Sequence, residues 1–198
     1  AALREALRSN TADQPDGAIV AQVAATFALP PEQGQSLLDE VQLQGETLLD
    51  TLTDKTLLEK LMARDATGAY LTDITPANFP TVYSACRLLH KLALLLSRFK
   101  VTTPDLKWLL KNSVRFGLLD LNALPVTAVP AAPLFPAWLA LCQWLDFKGL
   151  YPEPEDISWR AIFDLAGAAT TPDSAIRTAI AKLTQWEARD VNDLAVGL

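Results

Sequence analysis

The chain has 198 residues, of which 50% are hydrophobic and 20% charged, and a net charge of −6. That length holds one domain or two small lobes, and the apolar share is enough for a core without disulfide or metal staples. The acidic balance argues against a nucleic-acid footprint over the whole surface, although a local basic patch fits inside an acidic total. No apolar run reaches the roughly 18 residues of a membrane span, because Arg87, His90, Lys91 and Arg98 interrupt the best candidate. Cys86 and Cys142 lie far apart on apolar helical faces, where reduced, packed thiols are expected rather than a disulfide. Ala1-Ala2-Leu3-Arg4-Glu5 shows no basic stretch followed by an apolar one, so no secretory signal is visible and the opening reads as a cut through a longer chain.

Leu3 and Leu7 predict a short amphipathic opening that ends in the polar run Ser9 to Asp13. A helix follows from about Pro15 to Ala28, with Pro15 and Asp16 in its first turn and Ile19, Val20, Val23 and Phe27 on its apolar face. Leu29-Pro30-Pro31-Glu32 breaks it and starts another helix, carried by Leu37, Leu38 and Val41 and ending near Gly45. The stretch from Thr47 to Arg64 is helical too, with Thr53 or Asp54 available to cap a new helix bearing Leu57, Leu58 and Leu61.

Gly68 to Phe79 is a connection into the strongest element, which the rest of the chain is expected to surround. From Val82 to Phe99, Val82, Cys86, Leu89, Ala93 and Leu96 form one stripe, and Leu88, Leu92, Leu95 and Phe99 a second. Only a narrow strip is left for water. In Thr102-Thr103-Pro104-Asp105, Thr103 is expected to cap the next helix, with Pro104 in the first turn and Asp105 facing its positive end. Leu106, Leu109 and Leu110 face inward, and Gly117 is placed for a left-handed stop after Phe116. Leu118 to Leu124 has room for one helical turn. Pro125 to Pro136 holds four prolines and no charge, which predicts an irregular connector packed against a neighbour.

Phe135, Trp138, Leu139, Cys142 and Leu145 then repeat at helical spacing, closed by Gly149, Pro152 and Pro154. Ser158 caps the next helix, with Ile162, Phe163 and Ala166 inward. Thr170-Thr171-Pro172-Asp173 repeats the earlier tetrapeptide, followed by Ile176, Ile180 and Leu183 and a final short helix through Val191 and Leu194. No sustained alternation of β-branched residues is present, so strands are not expected. Phe27, Phe99 and Trp186 each end a helix, and Leu29, Val101 and Ala188 follow two residues on. This irregular echo suits stacked helical hairpins with an aromatic residue wedged in each corner. The fold expected is all-α, an irregular array of such hairpins in two lobes: residues 1–124, a connector at 125–136, and residues 137–198.

Chemistry-bearing patterns are sparse. Cys86 and His90 share a helix face, but a metal needs three or four ligands and this is the only histidine. Neither Ser84 nor Ser97 sits in a nucleophile elbow, and the pairs Asp13/Asp16 and Glu153/Glu155 lie in turn-rich, proline-flanked segments where solvated acids are the default. No catalytic residue, cofactor motif or metal site is therefore expected. Arg87, Lys91, Arg98, Lys100, Lys107, Lys111 and Arg115 stand out because Asp105 is the only acid among them. Arg87, Lys91, Arg98, Lys107 and Lys111 are the candidate interface, for acidic helices elsewhere in a parent protein, or alternatively for nucleic acid or another protein bound by a helical module. The five tryptophans, Trp108, Trp138, Trp144, Trp159 and Trp186, fit core or interface better than a sugar platform.

The run from Phe79-Pro80-Thr81-Val82-Tyr83 through Leu88-Leu89-His90-Lys91-Leu92 to Val101, with Asp105-Leu106-Lys107-Trp108-Leu109-Leu110, resembles the α-helical shell of the A subunits of insecticidal toxin complexes. Leu183-Thr184-Gln185-Trp186-Glu187, with Val191 and Leu194, is similar to the corners of that family. The resemblance implies a very large secreted parent in which a pentamer of A subunits forms a bell around a translocation channel, while a B–C cocoon supplies the toxic enzyme. It makes this segment a non-catalytic scaffold of a pore-forming toxin, touching other domains and protomers of the parent and reaching the cocoon only through it. Direct contact with membrane or nucleic acid is not implied, and the channel helices and receptor-binding β-domains of a whole A subunit are missing from this sequence.

Overall fold

A computed structural model describes residues 17–73, 75–127 and 134–196. Among them the chain is mostly helical, with one two-stranded ribbon. The expectations for Leu3, Leu7, Asp13, Pro15 and Asp16, and for the middle of the 125–136 connector, lie outside the described residues. The chain falls into two compact units, residues 1–138 and 139–198.

In the first unit, α1 spans Gly17–Phe27 and α2 Pro31–Glu40. Pro31 occupies the first turn of α2, where its missing N–H is no loss. A ribbon follows instead of more helix: β1 (Gln42–Leu43) pairs antiparallel with β2 (Glu46–Thr47) across Gln44-Gly45. Both turn residues have positive φ, 58° and 93°, as the mirror-image hairpin turn requires. Two residues per strand are too few to leave an alternation in the sequence, which is why no strand was expected.

The ribbon delivers Thr47 to the start of α3 (Leu48–Thr53), where its hydroxyl accepts from Asp50 N at 3.0 Å. Asp54 then caps α4 (Lys55–Met62), accepting from Leu57 N at 2.8 Å, so the expected second start is at Asp54 and not Thr53. The long helix α5 runs Pro80–Phe99 and buries Val82, Ala85, Leu88, Leu89, Leu92, Ala93, Leu95 and Leu96. Each fully buried leucine there contributes about 1.5–3 kcal/mol relative to exposure. Cys86 and Phe99 reach only half-burial, and Ala85 takes the inward place that the stripe assigned to Cys86.

The cap of α6 (Thr103–Asn112) is Thr102, one residue before the expected Thr103. Thr102 Oγ1 accepts from Asp105 N at 3.4 Å and Asp105 Oδ2 accepts from Thr102 N at 3.4 Å, a reciprocal capping box, and Thr102 Oγ1 also donates to Asp105 Oδ2 at 2.6 Å. Asp105 is thereby buried without being an isolated charge. A 3₁₀ turn at Val114–Phe116 ends on Gly117 at φ 68°, and another spans Leu121–Ala123.

The best-connected element in this unit is α2, which packs on α1, α3 and α6, whereas α5 packs on α3. Its inward face includes Gln33, Gly34 and Ser36 beside Leu37 and Leu38. A Cβ at Gly34 would stand 3.3 Å from the Ala24 Cβ, so glycine permits the close approach of α1. Gln33 Nε2 donates to the Val101 carbonyl at 2.7 Å, across 68 residues of sequence, and fixes α2 to the corner between α5 and α6.

The second unit contains the rest of α7 (Phe135–Leu150), α8 (Trp159–Gly167), α9 (Asp173–Thr184) and α10 (Ala188–Val196). The stripe expected on α7 is displaced: Leu141, Trp144 and Leu145 are buried, while Phe135, Trp138 and Leu139 are exposed. From Phe135 to Cys142 this helix carries no polar side chain, so its pattern there selects no face. Ser158 caps α8, accepting from Ala161 N at 3.2 Å. Trp159 and Ile162 turn inward there, but Ala166 is exposed. Phe147 gathers Tyr151, Trp159 and Trp186 at ring separations of 4.8, 5.1 and 6.4 Å. On α10, Val191 is buried and Leu194 exposed.

The second Thr-Thr-Pro-Asp is used in a different frame. Here Pro172 is the cap, without a side-chain bond, and the helix starts at Asp173.

Three corners share one design. Residues 28–30, 100–102 and 185–187 each join two helices, and each opens on a non-glycine left-handed residue: Ala28, Lys100 and Gln185, with φ of 52°, 50° and 61°. In the first two, the following residue donates back to the helix, Leu29 N to Ala24 O at 2.9 Å and Val101 N to Leu96 O at 3.0 Å. The third corner aligns Trp186 with Leu29 and Val101 instead of with Phe27 and Phe99. The aromatic echo is therefore offset by two residues there.

Candidate interface along the basic helix

The strip that the apolar pattern of α5 leaves to water holds Arg87, Lys91, Leu94 and Arg98, all on the outer side of the helix. Arg87 and Lys91 turn toward the chain that follows the last 3₁₀ turn. Arg87 Nη1 donates to the Val126 carbonyl at 3.1 Å, and Lys91 Nζ donates to the Pro125 carbonyl. Two of the five candidate interface cations thus hold down the start of the connector, above a groove of roughly 490 Å³ that Tyr83, Cys86 and His90 also line.

Arg98 and Lys111 have no acidic partner within ion-pair distance among the described residues. Lys107 stands 3.7 Å from Glu40, in a groove edged by Glu32, Asp39 and Glu40. Four of the five candidate cations fall into two settings, with Lys111 in neither. Arg87, Lys91 and Arg98 form a one-signed stripe on α5, whereas Lys107 on α6 lies among acids of α2. Arg115 turns back over the Phe116 ring, 5.5 Å from its centre.

Cys86 and His90 both line the groove on α5, and their chemistry there is quiet. Burial pushes the Cys86 thiol above its ordinary value, so it stays protonated and a poor nucleophile at neutral pH. His90 is exposed and stands edge-on to Phe27 at 6.1 Å. Among the described residues no group of three His, Cys, Asp or Glu side chains is placed to hold a metal. Glu153 serves structure: its Oε1 accepts from Trp159 N at 3.0 Å and faces Lys148 at 3.6 Å.

Trp108, Trp144 and Trp159 are buried, and Trp108 stacks on Phe116 at 5.5 Å. Trp138 is 36% exposed and lines an apolar groove of roughly 420 Å³ with Leu94, Leu95, Phe99 and Leu124. The sequence pattern did not single out this groove. Its one legible signal was that Leu94 belongs to neither apolar stripe of α5 and so falls among the cations. No helix among the described residues is long and apolar enough to cross a membrane. No family model matches the chain, and neither a curated protein nor a solved structure matches it.

Proposed function

We propose that the chain is a non-catalytic scaffold segment in the helical shell of a toxin-complex A subunit, secreted as part of that parent and assembled with its other domains, its sister protomers and, through them, a B–C cocoon. The observation that supports this reading is the three-residue corner used three times to join successive helices, two of the joined pairs, α1–α2 and α9–α10, packing directly on each other. Exposed apolar side chains on two helices, Leu94 on α5 and Phe135 and Leu139 on α7, supply surface for neighbouring pairs to cover.

The rival reading, a helical module gripping nucleic acid through residues 87–115, has less to stand on. Arg87 turns to the Val126 carbonyl and Lys107 faces Glu40, so the cations of 87–115 do not present one continuous basic surface. The test is anisotropy of labelled single- and double-stranded oligonucleotides at physiological salt. The scaffold reading predicts no saturable binding. Tight binding that weakens steeply with salt, and is abolished by Lys107→Glu with Lys111→Glu, would replace it with the rival, because each phosphate neutralised adds about one logarithmic unit to the salt slope.

A further inference from the structure

On α5, Lys91, Leu94 and Arg98 stand at i, i+3 and i+7, one stripe about 10 Å long at 1.5 Å per residue. Leu94 is 58% exposed, an apolar side chain held in water between two cations. Beside it lies the groove floored by Leu95, Phe99 and Leu124, with Trp138, the last residue of the first unit, on its wall. The lining is almost wholly apolar, and the charged groups at its edge are Lys91 and Arg98. From Val82 to Pro104 the sequence contains no acidic residue, so this face offers cations around an apolar trough without internal neutralisation.

We propose that this groove docks an amphipathic protein helix carrying acidic residues. Two apolar side chains one turn apart on the incoming helix would cover Leu94 and fill the space above Leu95 and Phe99, with one carboxylate reaching Arg98 and another the two N–H donors that Lys91 Nζ keeps beyond its bond to the Pro125 carbonyl. The spacing supports it, because two cations two turns apart on α5 match carboxylates two turns apart on a helix laid alongside. Charge complementarity supports it as well: an incoming acidic helix gains from both cations, while a basic or neutral one leaves the Arg98 guanidinium partly desolvated against apolar walls. A membrane surface fits less well, since a lipid interface is met by a broad convex apolar face and this one is concave. The proposal deepens the scaffold reading by naming what one face of the scaffold holds. Its failure would leave the place of the chain in a larger assembly to be decided separately, on the parent protein.

The experiment titrates the full chain with a synthetic alanine-based helix bearing two leucines one turn apart flanked by glutamates, and with a second helix bearing lysines in place of the glutamates. Calorimetry reads affinity, and tryptophan emission reads location. Saturable binding of the acidic helix is expected, weakened about tenfold or more in Arg98→Glu and less in Arg98→Gln, and reduced by added salt. Leu94→Ala should weaken it without altering the helical circular dichroism, and Trp138→Phe should abolish most of the emission change while binding persists. Equal binding of the lysine helix, no binding of either helix, capture of phosphatidylglycerol vesicles in preference to the acidic helix, or self-association of the chain that the helix does not displace would each overturn the proposal.

Discussion

Replacing Gln33 with alanine probes the joint on which the first unit turns. Gln33 is 7% exposed, and its Nε2 donates to the Val101 carbonyl at 2.7 Å between α2 and the α5–α6 corner. Alanine removes the donor and leaves that carbonyl buried without this partner, which costs about 1–3 kcal/mol in desolvation, with a further loss from the missing side-chain packing. With a urea m-value of about 2 kcal/mol/M, a loss of about 2 kcal/mol moves the unfolding midpoint down by about 1 M. The control is Gln35→Ala, two residues along the same helix, where the amide reaches only the exposed Asp39 carboxylate at 2.8 Å. That change should stay within about 0.5 kcal/mol, as surface substitutions do. Urea unfolding followed by tryptophan fluorescence, with hydrogen exchange at α6 amides, reads both variants. Equal midpoints for Gln33→Ala and Gln35→Ala, or unchanged exchange in α6, would refute the role assigned to this bond.

Thr102→Ala should cost about 1 kcal/mol and Thr103→Ala much less, since Thr102 makes the capping box; chemical denaturation of the two variants decides the cap, and the reverse order would restore Thr103. Lys100→Gly should stabilise the chain by about 0.5–1 kcal/mol, because a left-handed residue with a Cβ carries strain that glycine relieves. A lower thermal midpoint for that variant would show that the Lys100 side chain contributes more than its backbone costs. Asp156 is held below its ordinary carboxyl value, chiefly by the hydrogen bond from Lys182. Its folded value lies under its unfolded one, so its contribution is complete above about pH 4 and disappears as pH falls through the lowered value. Carboxyl NMR titration should place its midpoint below that of an ordinary aspartate, and Lys182→Met should raise it; no change on that substitution would refute the pairing.

What the sequence made legible follows from how strongly a local pattern constrains its surroundings. The double stripe of α5 left one strip for water, and Arg87, Lys91 and Arg98 are found on it. Starts with one competent capping side chain, such as Ser158, were equally plain. Where two threonines preceded Pro104 and Pro172, composition alone did not fix the frame, and the two identical tetrapeptides start their helices two residues apart. The central place of α2 was hidden because its inward face uses Gln33, Gly34 and Ser36, residue types that read as surface until Ala24 packs from the preceding helix and Val101 arrives from distant sequence. On α7 the reverse held, since an excess of apolar residues obscured which face is buried. The candidate interface was half visible: its cations were countable, but their separation into an α5 stripe and a neutralised α6 site depends on Glu40 and on the Pro125 and Val126 carbonyls, contacts made far along the chain.

Electron cryomicroscopy of the full-length protein that contains this chain tests its proposed place in a toxin-complex shell. We expect the helices from Gly17 to Val196 to occupy the outer helical wall of a five-fold bell. A protein without five-fold assembly, or density that places these helices outside the shell or against nucleic acid, would contradict that place.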